Sequence, residues 1–171
     1  MLDNIILIGF MGCGKTTFGT WIAKNKKMDF CDTDALIVEK EKKSINDIFS
    51  ENDEPYFREL ETEIVKDLIK SRHNTVVSVG GGLPLKPENR ELLKKLGTVV
   101  YLRTSVEELT KRLAGDTTRP LLAGGNIREK ITHLMDMRLS DYLDAAEVII
   151  DTDGRSFDEM YENILKEKRE A

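Results

Sequence analysis

The sequence is poor in the residues that build disulfide scaffolds and metal clusters. It has two cysteines, Cys13 and Cys31, in 171 residues. Two thiols cannot form a disulfide framework, and their spacing matches no zinc-binding pattern. We therefore expect both to be reduced, as in a cytosolic protein. The two histidines, His73 and His133, have no partner at the spacing of a metal site or a catalytic triad, and we expect them at the surface.

The sequence also lacks a basic excess and a long apolar run. Lys and Arg number 26 against 31 Asp and Glu, which gives a net charge of −5. General nucleic-acid-binding proteins usually have the opposite balance, so we expect no nucleic-acid partner. No apolar stretch approaches the about 20 residues of a membrane span, so we expect no membrane association. The apolar N-terminal run has no basic region before it and leads into glycines, which predicts a buried strand rather than a signal peptide.

Short apolar runs alternate with amphipathic segments along the chain. Five runs predict strands, at residues 4–9, 29–32, 75–79, 98–102 and 148–152. Helices are predicted to begin at or near residues 15, 35, 44, 55, 87, 105, 126 and 156. This alternation predicts one α/β domain, residues 1–171, with a parallel sheet. The polar, glycine-flanked segment 115–125 does not fit it, and we predict a mobile lid there.

Residues 9–16 read GFMGCGKT and match the phosphate-binding pattern G-x-x-x-x-G-K-[ST]. A predicted strand precedes them and an amphipathic helix follows. The glycines let backbone N–H groups turn toward a phosphate at the helix N-terminus. In this motif Lys15 reaches the β- and γ-phosphates and Thr16 binds Mg²⁺. The alternative is an ordinary glycine-rich turn, and the placement favours the P-loop.

Two further polar segments follow the second and third predicted strands, at the sheet edge where such folds bind ligands. In Asp32-Thr33-Asp34, one carboxylate is suited to Mg²⁺ through water and the other to an acceptor hydroxyl. The alternative is that Asp34 only caps the next helix. Gly80-Gly81-Gly82 can turn N–H groups toward an anion or a hydroxyl, or can simply form a tight turn.

Three arginines are candidates for anion binding. Arg58 has Glu61 one helical turn later, and such a pair usually lies on a solvated face. Arg138 lies late in a predicted helix, and Arg119 lies in the predicted lid. Taken alone, each is more typical of a surface residue than of a binding site.

Taken together, these motifs resemble the shikimate kinase family. The resemblance covers nearly the whole chain and rests on GFMGCGKT at 9–16, Asp32-Thr33-Asp34, SINDIF at 44–49, Phe57-Arg58 with Glu61, SVGGG at 78–82, Arg119-Pro120-Leu121-Leu122, and Arg138 with Tyr142. It implies phosphorylation of the shikimate 3-hydroxyl by Mg-ATP, in the biosynthesis of aromatic amino acids. It also implies a three-layer P-loop kinase fold of the nucleoside monophosphate kinase type, with a five-stranded parallel sheet in the order 2-3-1-4-5 and a lid. Because the sequence shows neither a signal peptide nor a membrane span, we expect a cytoplasmic protein, and we expect a monomer.

The resemblance assigns roles residue by residue. The implied ATP site comprises Gly12, Cys13, Gly14, Lys15, Thr16, Thr17, Arg112, Arg119 and Arg155, with Arg112 and Arg155 beside the adenine. The implied metal ligands are Thr16 and Asp32, helped by Ser78 and water. The implied shikimate site comprises Asp34, Arg58, Gly80, Gly81, Gly82 and Arg138, within and beyond an acceptor-binding segment at about 33–61. Lys15, Asp34 and Arg119 are the implied catalytic residues.

The sequence departs from the family pattern at a few positions. Cys13 stands where the family often has Ser or Ala, which matters little because the backbone binds the phosphates. Asp53 replaces a glycine and leaves the local turn undecided. No acidic residue ends the third strand, which gives more weight to Asp32.

Two other functions remain open from residue types. A gluconate-type or other small-metabolite kinase also needs groups for a carboxylate and hydroxyls. A non-catalytic nucleotide-binding module would keep the P-loop without a second anion site. The joint presence of Asp34, Arg58, the glycines and Arg138 speaks against the module.

Overall fold

Residues 3–170, the part of the chain that the structure describes, form a five-stranded parallel sheet with helices on both faces. The structure is a computed structural model, and it leaves out the side chain of Pro120. Met1, Leu2 and Ala171, which belong to the predicted domain, lie outside the described residues. The strands are β1 (Ile5–Ile8), β2 (Asp29–Asp32), β3 (Thr75–Ser78), β4 (Thr98–Arg103) and β5 (Val148–Asp151). Their order is β2-β3-β1-β4-β5 and every pairing is parallel, as predicted.

The helices follow the predicted starts closely. They are α1 (Lys15–Lys26), α2 (Thr33–Glu41), α3 (Ile45–Glu51), α4 (Glu54–Ser71), α5 (Pro87–Leu96), α6 (Val106–Leu113), α7 (Ile127–Ala145) and α8 (Phe157–Glu170). Two short 3-10 turns, Leu83–Leu85 and Pro120–Leu122, were not predicted. The second lies within segment 115–125, the predicted lid.

Two hydrophobic cores lie on opposite faces of the sheet. Ile5 and Leu7 pack into the first core, with residues of α1, α6 and α8. Ile6 and Ile8 pack into the second core, with residues of α4 and α5. Successive side chains of a strand point to opposite faces, so a strand covered on both sides must be continuously apolar. The three-layer prediction is therefore confirmed.

Side-chain caps explain several helix starts. Ser44 and Ser105 accept hydrogen bonds from the backbone N–H groups of Asp47 and Glu108, as their sequence patterns indicated. Asp53 accepts from the N–H of Tyr56 at 3.0 Å and caps α4. Such a cap is worth about 1 kcal/mol. Asp53, which stands where the family usually has a glycine, therefore shapes this turn by capping α4 with its carboxylate.

The start of α2 differs from the prediction. The helix begins at Thr33, and its cap is Asp32, whose Oδ1 accepts from the N–H groups of Asp34 at 2.9 Å and Ala35 at 3.2 Å. The alternative that Asp34 only caps this helix is therefore wrong. β2 passes into α2 without a loop, so Asp34 lies in the first turn and its side chain is left for other contacts.

Candidate active site

A cleft of about 570 Å³ opens at the carboxyl ends of β1, β2 and β3. Ligands bind at this edge in open α/β sheets. Its lining includes residues 12–17, Asp32, Asp34, Ser78, Gly80, Gly81, Arg112, Arg119 and Arg155. The structure thus brings the predicted nucleotide and metal residues together in one cleft. Arg58, Gly82 and Arg138 lie beside this cleft, around the turn that follows β3.

The P-loop has the backbone geometry that its glycines permit. Gly9, Gly12 and Gly14 have φ values of 145°, 77° and 96°, which other residues rarely adopt. A methyl group on Gly9 would also lie 2.8 Å from the carbonyl oxygen of Leu102. The loop ends at the N-terminus of α1, whose free N–H groups and partial positive charge favour an anion.

Lys15 lies across this loop. Its Nζ donates to the carbonyl oxygens of Gly9 at 2.8 Å and Phe10 at 3.0 Å. A Lys ammonium has three donors, and the third makes only a weak contact with the Cys13 sulfur at 3.7 Å, which a phosphate oxygen can replace. The side chain is therefore held at the loop and is available to an anion in the cleft.

Three arginines add positive charge to the cleft. Arg112 donates to the carbonyl oxygen of Gly12 at 3.2 Å and to Glu108 at 2.9 Å, which ties α6 to the P-loop. Arg119 lies 3.5 Å from Asp116, and its side chain is 48% exposed. Arg155 is exposed at the cleft wall. The side chains of Arg119 and Arg155 are therefore accessible to a ligand in the cleft.

The turn at 80–82 makes room for three side chains. A methyl group on the first glycine would lie 2.8 Å from Oδ1 of Asp34, and one on the third would lie 2.5 Å from both terminal nitrogens of Arg58. A methyl group on the second would lie 3.5 Å from a guanidinium nitrogen of Arg138. None of the three glycines has φ in the left-handed region. A tight turn does form, closed by the N–H of Leu83, but it is the available space that requires glycine at the first and third positions.

Arg58 and Glu61 are not a solvated pair, so that alternative is wrong. Their side chains meet at 2.6 Å, and the Glu61 side chain is only 1% exposed. Burial raises the pKa of Glu61 to about 7, although the neighbouring Arg58 acts in the opposite direction. Glu54 holds the other side of the guanidinium at 3.1 Å. Arg58 is therefore fixed in direction by two carboxylates.

Arg138, on α7, is buried rather than at the surface. Its residue exposure is 7%, and its guanidinium lies 5.7 Å from the ring centre of Phe10. A cation over an aromatic face at this distance is attracted to it. A buried arginine without a described carboxylate contact suits a carboxylate ligand.

Asp34 has the properties of a residue that meets a ligand hydroxyl. Its Oδ1 is buried and has no hydrogen-bond partner within residues 3–170. Burial, and then the charge of Asp32, raise the pKa of Asp34, while Lys15 and Arg119 act against them. Buried acceptors are normally satisfied, so an unbonded one at a cleft indicates a missing donor. A raised pKa also suits a proton acceptor.

The residues predicted to hold Mg²⁺ fit that ion. Thr16, Asp32 and Ser78, which all carry side-chain oxygen atoms, line the same cleft. Within the described ranges no group of three or more acidic, histidine or cysteine side chains is close enough to hold a metal. Mg²⁺ usually binds one or two protein oxygens and completes its shell with water and substrate phosphates. A sparse oxygen site beside a phosphate loop matches that preference.

Sequence reasoning missed several residues of the site. Glu61 and Tyr142 were noted in the resemblance but received no role. The spacing of Glu61 from Arg58 was a signal, because side chains three apart on a helix are neighbours. Thr152, Phe157 and Met160 also line the cleft. They follow the last strand, and no local pattern distinguished them.

The sheet order, the phosphate loop at the start of α1 and the second polar subsite define a P-loop phosphotransferase. No helix among residues 3–170 is both long and apolar enough to span a membrane. The family profile described as shikimate kinase matches residues 11–169. A shikimate kinase of Geobacter metallireducens is 47% identical over 161 residues, which are 94% of this chain and 89% of the relative. The chain belongs to the shikimate kinase family.

Two solved structures resemble this chain to different degrees. The shikimate kinase of Acinetobacter baumannii in complex with shikimate has a TM-score of 0.89 and 35% identity, and covers 99% of this chain and 94% of its own. A gluconokinase of Sinorhizobium meliloti has a TM-score of 0.60 and 20% identity, covering 98% and 91%. At 20% identity, the likeness to the gluconokinase shows a shared fold and nothing about the substrate. The family assignment therefore decides against the gluconate-type kinase and the non-catalytic module, and the protein is an Mg-ATP-dependent kinase that phosphorylates shikimate.

Proposed function

We propose that this kinase binds shikimate around the turn at 80–82 and ATP along the P-loop, with the two sites meeting at Asp34. The observation that carries this proposal is the arrangement of Asp34, Arg58 and Arg138, each facing a different glycine of one turn. Two guanidinium groups and a carboxylate around one space complement a ligand that has a carboxylate and hydroxyls. Asp34 also lines the nucleotide cleft, so a hydroxyl bound to it lies beside the phosphates.

In this proposal Arg58 and Arg138 bind the shikimate carboxylate, and Gly80, Gly81 and Gly82 line the acceptor subsite. The guanidinium fork suits bidentate binding of a carboxylate. Asp34 orients the 3-hydroxyl and accepts its proton as the phosphoryl group transfers. Both arginines are held by neighbours, Arg58 by two carboxylates and Arg138 against Phe10, so little side-chain freedom is lost on binding.

The remaining residues neutralise charge on the transferred group. Phosphoryl transfer has a loose transition state, so positioning and electrostatics dominate catalysis. Lys15 and Arg119 supply positive charge at the β- and γ-phosphates, and Gly12, Cys13, Gly14, Thr16 and Thr17 bind phosphates with the start of α1. Arg112 and Arg155 flank the adenine. Mg²⁺, held by Thr16 and Asp32 with Ser78 and water, neutralises phosphate charge when bound.

The segment 115–125 acts as a lid that brings Arg119 over the phosphates. Gly115 and Gly124 have φ values of 79° and 70°, with open space around a methyl group at either position. Such positions near both ends suit hinge motion. We further propose that residues 1–171 form a single catalytic domain that works as a cytoplasmic monomer, where the unpaired thiols Cys13 and Cys31 stay reduced.

Calorimetry with each substrate tests the acceptor site. Arg58→Ala and Arg138→Ala should each weaken shikimate binding by about 2–5 kcal/mol, the range for removing one partner of a buried charge pair. ATP affinity should change little. Arg128→Ala is the matched control, because Arg128 is an exposed arginine of the same helix as Arg138. An equal loss of ATP affinity in the two site variants would remove these arginines from the acceptor subsite.

A further inference from the structure

Helix α7 reaches the glycine turn with two side chains, one helical turn apart. Tyr142 is fully buried, and its hydroxyl donates to the carbonyl oxygen of Gly81 at 2.7 Å. A methyl group on Gly81 would lie 3.5 Å from a guanidinium nitrogen of Arg138 and 3.6 Å from the Tyr142 hydroxyl. Gly81 therefore lies against both Arg138, the proposed carboxylate-binding arginine, and Tyr142, which has no role in the proposed site.

The carbonyl of Gly81 belongs to the central peptide of the turn. The turn is closed by the N–H of Leu83, which donates to the carbonyl oxygen of Gly80 at 3.0 Å. Gly82 has φ −94° and ψ −9°, the values of the third residue of a type I turn. In a trans peptide the C=O and N–H groups point in opposite directions. A bond on the Gly81 carbonyl therefore also sets the direction of the Gly82 N–H.

A turn of this sequence has a competing geometry. Glycine at the third position is the residue that a type II turn requires, and the two types differ by a flip of the central peptide. Glycine adopts the positive φ of the type II form without steric cost. The local sequence thus allows both forms, and a contact from outside the turn must select one. The Tyr142 hydroxyl is such a contact, and it bonds to the carbonyl that would reverse.

We infer that Tyr142 is a positioning residue for the acceptor subsite, whose hydroxyl locks the Gly81–Gly82 peptide in the orientation that shikimate meets. The inference rests on the proposed shikimate site. Breaking this bond would divide the turn between two forms, and only one of them presents the binding surface. The apparent dissociation constant rises in proportion as the competent fraction falls. Tyr142 touches neither substrate in this scheme.

The surroundings of Tyr142 support a donor role. Burial raises the pKa of Tyr142, and the nearby Arg138 only partly opposes this, so the hydroxyl keeps its proton at neutral pH. Its ring packs on Tyr101, with ring centres 5.2 Å apart. The backbone beyond the turn is held separately, because Arg90 donates to the carbonyl oxygen of Pro84 at 2.9 Å and pairs with Asp141 at 3.0 Å. Loss of the hydrogen bond from Tyr142 to Gly81 should therefore change the conformation of the turn itself and not that of the backbone beyond it.

Tyr101 provides a matched control. It is as buried as Tyr142 and forms the other half of the ring pair. Its hydroxyl, however, has no hydrogen-bond partner in the described part of the chain. Tyr142→Phe and Tyr101→Phe therefore remove the same atom from the same core. Only the first removes a bond to the turn, together with the contact of the hydroxyl with Arg138.

The test compares steady-state kinetics and calorimetry for the wild type and both variants. Tyr142→Phe should raise the KM and the Kd for shikimate about three- to tenfold, the scale of one lost hydrogen bond, and leave the KM for ATP within twofold. Tyr101→Phe should keep both constants within twofold. A wild-type shikimate Kd in folded Tyr142→Phe would overturn the inference, even if its melting temperature fell, because that result describes a merely structural tyrosine.

Two further arms separate the possible failures. Arg138→Ala serves as the positive control for the acceptor subsite. If it leaves shikimate binding unchanged, the proposed site fails and this inference with it; if it weakens binding and Tyr142→Phe does not, only this inference fails. If Tyr142→Phe is unstable, the measurements are made in saturating ADP, which binds the folded state and so stabilises it by mass action. Tyr142 does not line the nucleotide cleft, so the substitution should leave ADP binding intact. The shikimate Kd is then compared with that of the wild type under the same conditions.

Discussion

The glycines of this protein serve two different physical needs. In the P-loop, Gly9, Gly12 and Gly14 have backbone angles that side chains disfavour. In the turn at 80–82, none of the glycines has φ in the left-handed region, and what matters is the room beside them. The sequence shows both groups simply as glycine-rich segments. Substitution distinguishes them, because a steric conflict with a side chain is relieved by moving that side chain, whereas backbone strain is not.

Gly82→Ala should impair function more than stability. The added methyl group would lie 2.5 Å from both terminal nitrogens of Arg58, which would have to swing away from Glu61. We expect the KM for shikimate to rise about tenfold or more, in line with a lost charge-assisted hydrogen bond worth about 1.5–3 kcal/mol. The melting temperature should fall by only a few degrees, because the end of a flexible side chain moves. Kinetics with both substrates and a thermal melt measure the two effects.

Gly81→Ala is the comparison for this prediction. Its methyl group would lie 3.5 Å from the nearest atoms, an ordinary contact distance. We expect a clearly smaller rise in the KM for shikimate than in Gly82→Ala. Equal effects of the two substitutions would mean that the backbone of the turn, and not the position of Arg58, limits binding.

Glu61 should make stability depend on pH. Burial raises its pKa from 4.5 to about 7 in the folded protein, so the folded state binds a proton there more tightly than the unfolded state. The resulting stabilisation is fully present below pH 4.5 and is lost as the pH rises through 7. Glu61→Gln has no such titration. Its stability relative to the wild type should therefore increase between about pH 5 and 8, by on the order of 1–3 kcal/mol.

Urea unfolding of both proteins across this range measures the difference. Glu63→Gln is the control, because Glu63 lies on the same helix but is exposed, and Lys40 lowers its pKa. Its contribution is lost only as the pH falls through that lowered value, so its curve should run parallel to the wild type above pH 5. If the free energy of unfolding of Glu61→Gln also ran parallel to that of the wild type across this pH range, Glu61 would be ionised in the folded state.

At the scale of elements, the proposed acceptor subsite is assembled by helices that lie far apart in the chain. α4 carries Arg58 and Glu61, α7 carries Arg138 and Tyr142, and both meet the turn after β3. α7 contributes to both cores, with Ile131 in the first and Tyr142 in the second. A helix anchored in both layers is a rigid support, so the position of Arg138 is set by the whole fold.

Segment 115–125, the proposed lid, is the element whose motion should matter for chemistry. Arg119→Ala should lower kcat by about 10²–10³, by analogy with a lost electrostatic donor, with a smaller change in the Kd for ATP. The reason is that its charge is needed most when negative charge develops on the transferred group. Arg119→Lys keeps a charge and should lose less. Unchanged single-turnover rates in the alanine variant would end the assignment of Arg119 to catalysis.

Hydrogen exchange tests the accompanying motion. Backbone amides of 115–125 should exchange fast without ligand and become protected when ADP and shikimate are both present. Those of β1 should be protected in every state, because its side chains are fully buried in the two cores. Protection of the segment that is unaffected by ligands would contradict a closing lid.

At the scale of the whole molecule, the sheet order places the polar segments together. β1, β2 and β3 are neighbours in the sheet, so the P-loop, Asp32 to Asp34 and the glycine turn all emerge at one edge. The alternation of strands and helices predicted a parallel sheet but not its order, which followed from the family resemblance. Parallel pairing then explains why residues far apart in the sequence line a single cleft.

Features that depend on neighbours within a few residues could be predicted from the sequence. Strand runs, helix caps at Ser44 and Ser105, and the P-loop with Lys15 were all predicted, because periodicity, capping and loop geometry are local. Burial and contacts between distant residues, in contrast, depend on how the whole chain folds. The tertiary structure placed Glu61 under Arg58, made Asp32 and not Asp34 the cap of α2, and brought Tyr142 to the carbonyl of Gly81. The physical reason is that burial and long-range hydrogen bonds are set by the packing of distant segments, which no local pattern encodes.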